Sequence, residues 1–427
     1  MQIFCKKLPV ALFWTFLLAL GSLFAGCTDD ESSEAELYPQ QVLYSLFPND
    51  MSKNDSAAAH LAQGVLLKVH PKGTYKLSFD IDPNYDAPKM QLYRRYLNSS
   101  GTGYRYNQVR SLKPEIQSGR YVYTFTCEEN SVAFWVPTLV LDNDYFPGKT
   151  PNVRFTGSGT FSDHFSLNLI VVGNVEETLV DYTLDELKSK LLSEFRKKYS
   201  SVIIDTMYVS FAHEHPSLGR KYPADEPWVA GYSSDDEMLS ELGGWPGIEN
   251  AVDLVLVHYI NVENIVGYSS LFSGVMGGGD ESTIVLGTYI KTKYGTIETL
   301  SMSEIIETAL HETGHFFGLR HTTTTSADFQ SIYNGYPYSD YSNYEDGIED
   351  TPYCFEFQRR GLLKTAPTDI KTHLSRVNVL LKTPGFSLED CPDAKNYMFP
   401  AVVETGEYDF SEQQLAIIRE NLKLFPH

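Results

Sequence analysis

Residues 311–321 read HETGHFFGLRH, three histidines, a glutamate and two glycines in one short stretch. On a helix, His311 and His315 share a face about one turn apart. Two imidazoles so placed can meet one metal ion, and zinc accepts such nitrogens at about 2.0–2.1 Å. Glu312, beside the first histidine, is placed to hold a water on that ion and take its proton. Gly318 ends the helix, because the left-handed conformation of the residue after a helix is cheapest without a Cβ. The chain then turns back, and His321 can take a third coordination position, leaving a fourth for water as a catalytic zinc requires. The plain alternative is an amphipathic helix whose histidines face solvent by accident, and five residues of these types in this register argue against it. The chemistry implied is metal-assisted hydrolysis, with Glu312 as the general base.

Such a site needs a helix of defined start and a scaffold behind it. Ser301 and Glu304 form a capping box, and Leu300 can staple against Ile305, so the helix begins at about Met302. Upstream, residues 166–172 are apolar at nearly every position, as in a strand covered on both faces. Thr183 and Glu186 form a second capping box, and Leu184, Leu187, Leu191 and Phe195 line one helical stripe. Strands follow at Ile203 to Ala212 and Ala251 to Ile260, an alternation that predicts an α/β domain, with helices on a mixed sheet, over residues 161–427. The run GVMGGGDESTIVLGTYI then leads to the motif. It is either an edge strand whose free backbone groups pair with an extended substrate or a glycine turn before an ordinary strand.

Residues 51–160 differ. Runs such as Thr74 to Phe79, Arg120 to Phe125 and Ser131 to Val136 alternate with period two between Asn-, Gly- and Pro-rich breaks, which predicts a small antiparallel β-sandwich. No catalytic cluster is apparent there. A chain of 427 residues with 42% hydrophobic and 13% aromatic residues suits two folded domains. Its formal charge of -21 repels phosphate backbones and anionic lipid heads, which argues against nucleic-acid binding.

The N-terminus reads as an address. Lys6 and Lys7 precede an apolar run from Leu8 to Leu23 and then Phe24-Ala25-Gly26-Cys27. Residues 1–26 resemble a lipoprotein signal peptide, with the Cys27 thiol as the acceptor of the lipid; the alternative, a retained anchor, is short for a membrane span. In residues 27–50 Cys27 is followed by the acidic TDDESSEAE, a solvated tether that also resembles the surface-export signal of Bacteroidota lipoproteins. The expectation is an outer-membrane lipoprotein exposed at the cell surface. Cys5 leaves with the signal and Cys27 is lipidated, so Cys127, Cys354 and Cys391 supply one pair and one odd thiol.

The pattern of His311, Glu312, His315, Gly318 and His321 resembles the signature of metzincin zinc endopeptidases. With Glu349-Asp350-Thr351-Pro352, Cys354, Cys391 and Phe410-Ser411 before Gln413-Gln414, it is similar to the pappalysin (cytophagalysin) family over roughly residues 165–427. The resemblance implies a Met-turn at Met398 flooring the histidines, a Cys354–Cys391 disulfide and cleavage of protein or peptide substrates. Phe399 and Pro400 follow Met398, so the tyrosine ligand of astacin-like enzymes is absent there, and Tyr397 precedes the methionine instead. The acidic cluster Asp340, Glu345, Asp346, Glu349 and Asp350 is either a calcium site, as in pappalysin-like enzymes, or a solvated loop. The tyrosine-rich stretch from Thr322 to Glu349 either lines the cleft or covers the domain. Cys127 is either a buried thiol or a latency ligand. His213-Glu214-His215 also looks like a metal fragment, but with no third ligand evident nearby it reads as a surface or cleft feature. A rival function is a surface-tethered binding or adhesion lipoprotein with a non-catalytic zinc site.

Overall fold

The computed structural model describes residues 67–97, 104–130, 133–142, 144–146, 154–157, 163–231, 242, 245–248, 250–269, 283–292, 294–319, 321–322, 348, 350–351, 391–399 and 407–422. All of them belong to one compact unit, Ala35–His427. The expected signal peptide, Cys27 and the acidic tether lie outside the described residues.

The N-terminal part is two antiparallel sheets. The strands are β1 (Leu67–Val69), β2 (Thr74–Asp80), β3 (Lys89–Leu97), β4 (Tyr104–Leu112), β5 (Glu115–Gln117), β6 (Arg120–Thr126), β7 (Ala133–Leu141), β8 (Asp144–Tyr145) and β9 (Arg154–Gly157). One sheet runs β1-β7-β3-β4 with β8 on β7, the other β5-β6-β2-β9. Their inner faces meet through aromatic side chains, with Phe125 of β6 and Trp135 of β7 at 5.9 Å between ring centroids. Strand β7 runs past Val136 through Pro137, a residue that cannot donate to a ladder. Its β1 partner pairs only with Ala133 to Trp135, so among the described residues no β1 acceptor faces the proline nitrogen.

Pairing changes from antiparallel to parallel after Gly157. Strands β10 (His164–Val171), β11 (Ile203–Phe211), β13 (Ala251–Val257), β15 (Gly267–Ser269) and β16 (Thr283–Gly287) form a mixed sheet ordered β11-β10-β13-β16-β15, parallel except for the antiparallel edge strand β15. A ribbon of β12 (Val229–Ala230) with β14 (Tyr259–Ile260) and a hairpin of β17 (Tyr289–Lys291) with β18 (Ile297–Thr299) complete the strands. The near-continuous apolar runs of β10 and β13 arise because both faces are covered. Leu167, Leu169 and Val171 join the core that holds the helices, while Ile170 and Val172 pack with Tyr222, Ala230 and Ile260 on the other side. Asn168, polar yet fully buried, is satisfied there: it donates to Asp253 Oδ1 at 2.8 Å and accepts from Ser210 Oγ at 2.9 Å.

Three helices matter for the site: α1 (Leu184–Lys198), α2 (Met302–Phe316) and α3 (Glu412–Leu422). Both expected capping boxes form, Thr183 with Glu186 on α1 and Ser301 with Glu304 on α2. Leu300 and Ile305, the expected staple, are both buried. Tyr199, just after α1 and fully buried, donates its hydroxyl proton to the Leu310 carbonyl at 2.7 Å, which ties α1 to α2. Its ring meets Phe317 and Phe410, so the ends of α2 and α3 share one aromatic cluster.

Because the Ser301 hydroxyl oxygen accepts the Glu304 N–H, Ser301→Ala should lower the unfolding free energy by about 1 kcal/mol. A urea titration should show an earlier midpoint with an unchanged slope.

Candidate metal centre

Helix α2 carries His311, Glu312 and His315 and then stops in a defined way. Gly318 has φ +91°, its N–H meets the His315 carbonyl at 2.9 Å, and the Leu319 N–H meets the Gly314 carbonyl at 2.9 Å. This is the Schellman pairing, and it reverses the chain as the glycine predicted. His321 thereby returns to the helix face, its Nε2 at 3.2 Å from His315 Nε2 and 3.3 Å from His311 Nε2.

The other ring nitrogens decide what these short separations mean. His311 Nδ1 faces the Tyr397 carbonyl, and His315 Nδ1 lies 2.8 Å from the Leu319 carbonyl. A carbonyl only accepts, so each Nδ1 carries the proton, which in the neutral imidazole leaves the Nε2 lone pair for the centre. Three nitrogens of a zinc tetrahedron at about 2.0–2.1 Å from the metal are about 3.3–3.4 Å apart. The separations of His321 from its two partners therefore fit a tetrahedral cation, and the ligand atoms of all three histidines lie within 4.8 Å of one another. They are the one group of three or more potential ligands among the described residues.

Glu312 is buried beside them, 9% exposed. Burial pushes its carboxyl up to about 8, opposed by the neighbouring His321 imidazole and by the Ser269 N–H, which donates to it. A cation on the three histidines would also oppose that rise. Ser269 belongs to β15, so the edge strand of the sheet touches the candidate base directly. Gly267 allows this approach: a Cβ there would stand 2.4 Å from Thr308 Cγ2 and 3.1 Å from Glu312 Cγ. The sequence left two readings for the segment after the glycine cluster, an edge strand or an ordinary strand, and the second holds: Thr283–Gly287 lies inside the sheet between β13 and β15, and among the described residues the edge is Gly267–Ser269, upstream of the cluster. The glycine cluster itself lies outside the described residues. Nothing in three short residues marked β15 in the sequence, since its place is set by pairing with β16.

Met398 is fully buried and packs under the helix, where a Cβ on Gly314 would come within 2.5 Å of its Sδ. Its neighbours hold the site together. The Met398 carbonyl accepts the Thr322 N–H at 2.9 Å, one residue past His321, and Thr322 Oγ1 donates to Asp393 Oδ2. Tyr397 contributes its backbone carbonyl to His311, and burial pushes its phenol up.

Other expected residues fall elsewhere. Cys391 is buried and is not a free thiol, while Cys354, its expected partner, lies outside the described residues. Cys127 is free and fully buried next to Tyr75 in the sandwich. His215 Nδ1 accepts the N–H groups of Ser217 and Leu218 at 3.3 and 3.2 Å, so it closes a local turn. Of the acidic cluster, Asp350 accepts the Gln413 N–H at 3.0 Å, and Asp340, Glu345, Asp346 and Glu349 lie outside the described residues, as does most of the tyrosine-rich stretch.

No family model matches the sequence, and no curated relative matches it. Among solved structures, a metallopeptidase from Bacteroides thetaiotaomicron covers 99% of this chain and 77% of its own at 11% identity and TM-score 0.20. The ZmpB metallopeptidase from Clostridium perfringens covers 72% and 59% at 11% identity and TM-score 0.16. A xylanase module pair from Clostridium thermocellum covers 44% and 39% at 7% identity and TM-score 0.18. The chain thus spans less than two thirds of the length of the last two. Similarity this low carries no argument about fold or chemistry, which rest on the residues themselves.

Gly314→Ala is a test of the packing under the helix. Helix propensity alone would stabilise it by up to about 1 kcal/mol, but the clash with Met398 should reverse the sign and destabilise by about 1–3 kcal/mol. Thermal unfolding would show a lowered midpoint.

Proposed function

We propose that the chain is an extracytoplasmic, lipid-anchored zinc endopeptidase of the metzincin type, pappalysin-like, that hydrolyses peptide bonds in proteins. The observation that supports it is the convergence of His311, His315 and His321 at a spacing that suits a tetrahedral cation, with Glu312 buried alongside. Lipidation at Cys27, exposure at the cell surface, a protein or peptide partner and the Cys354–Cys391 disulfide belong to the same proposal, on the residues read in the sequence.

In this reading the three histidines would hold zinc, with His311 and His315 kept in the right tautomer by the Tyr397 and Leu319 carbonyls. Zinc would supply Lewis acidity toward the scissile carbonyl and acidify water at neutral pH. Glu312 accepts a proton from the attacking water and returns it to the leaving amine. The Ser269 N–H holds the carboxylate in place between these two transfers. An extended substrate laid along the β15 edge would bring a peptide bond beside Glu312, because the same strand already contacts that side chain.

A purified chain should cleave a denatured protein mixture, and a strong chelator should stop it. Glu312→Gln should keep its zinc, by elemental analysis, and lose at least about 100-fold in cleavage rate. Retained cleavage in that variant sinks the base assignment. A chain that binds zinc yet cuts nothing, while binding surfaces in a chelator-resistant way, would favour the adhesion reading.

A further inference from the structure

The turn at residues 396–398 reaches all three histidines by different routes. The Tyr397 carbonyl takes the Nδ1–H of His311. The Met398 carbonyl takes the N–H of Thr322, next to His321, at 2.9 Å. The Met398 thioether lies against Gly314, next to His315. Whatever shapes this turn therefore shapes the centre.

Asn396 shapes it. Its Oδ1 accepts the Met398 N–H at 2.8 Å, closing the turn on itself, and its Nδ2 donates to Gln414 Oε1 at 2.7 Å. Gln414 is fully buried in the first turn of α3. The same Oε1 accepts the Ser411 N–H at 2.9 Å, and the Gln414 N–H is received by Ser411 Oγ at 3.1 Å. One carboxamide oxygen thus joins the cap of α3 to the turn beneath the histidines. The backbone adds a short bridge, with the Tyr397 N–H on the Asp409 carbonyl and the Asp409 N–H on the Lys395 carbonyl, both at 3.1 Å. Only a side chain that accepts and donates at once can do what Asn396 does, since a carboxylate lacks the donor and an aliphatic group lacks both.

We propose that Asn396 and Gln414 are positioning residues of the metal centre, which fix the 396–398 turn so that the Tyr397 and Met398 carbonyls set the orientation of His311 and the placement of His321. Neither touches substrate or metal. The inference rests on the metal reading of the three histidines, and it assigns the C-terminal helix a part in metal affinity as well as in stability.

The test uses the full chain and two readouts that do not depend on peptide cleavage: the zinc dissociation constant by chelator competition, and the visible spectrum of the Co²⁺-loaded protein. Asn396→Ala and Gln414→Met should each weaken zinc binding by about 10–100-fold and shift the Co²⁺ bands, as loss of an outer-shell partner does. Ser201→Ala is the control, because Ser201 Oγ donates to the Leu415 carbonyl at 2.6 Å and anchors the same helix away from the turn. It should lower the unfolding temperature and leave affinity and spectrum unchanged. Unchanged zinc affinity and Co²⁺ spectrum in the two test variants would overturn the inference, as would equal weakening in Ser201→Ala. Should Asn396→Ala not fold, Gln414→Met decides alone. A wild-type chain that binds neither metal overturns the metal reading itself, a failure distinct from that of the positioning pair.

Discussion

Imidazole nitrogens 3.2 and 3.3 Å apart, as His321 Nε2 lies from those of His315 and His311, gain little from one another, so the protein must hold them there by other means. Three backbone carbonyls constrain them. The Leu319 carbonyl sits in the helix-ending turn made by Gly318, the Tyr397 carbonyl comes from a segment more than seventy residues downstream, and the Met398 carbonyl receives the residue after His321. Backbone carbonyls suit this work because they lack the rotamer freedom of side chains and are oriented by the turns that contain them. The arrangement is therefore as rigid as the turns at 317–319 and 396–398.

Behind those turns stands an aromatic and apolar mass that joins all three helices. Tyr199, Phe317 and Phe410 meet ring to ring, and the Lys198 ammonium, almost wholly buried, bonds the Tyr408 carbonyl and Asp409 Oδ1 at 2.6 Å. Asn421 of α3 donates to the Phe317 carbonyl at 2.6 Å, capping the end of α2 from the side. The Asn421 bond is buried and would be costly to leave half made, whereas the Asp409 carboxylate that meets Lys198 is largely exposed. On the sheet side of the centre stands strand β15, where close approach is set by the missing side chain of Gly267. Glu312 lies between these two regimes, packed enough to resist ionisation yet held by a peptide N–H and adjoining the sheet edge.

Much of this was legible in the amino-acid order. Both helix starts could be read from Thr183 with Glu186 and Ser301 with Glu304, because a capping box is a local hydrogen-bond exchange that needs no distant partner. Gly318 announced the turn for the same reason. The histidine spacing placed two rings on one face, and the unbroken apolar character of residues 166–172 announced a strand covered on both sides. Alternation in residues 74–79 and 120–125 announced the antiparallel sheets, although Pro137 hid the length of β7 until its pairing was known.

The tertiary structure alone decided what depends on contacts between distant segments. Which strand forms the sheet edge follows from hydrogen-bond pairing, so Gly267–Ser269 gave no sign in sequence and Thr283–Gly287 was open to misreading. The tautomers of His311 and His315 follow from carbonyls brought near by folding. Met398 could be any core methionine until its sulfur met Gly314. The work of Asn396 and Gln414 is a side-chain bond across eighteen residues that no period or motif encodes. Local chemistry wrote the candidate ligands into the chain, whereas their orientation belongs to turns that only the packed helices hold in place.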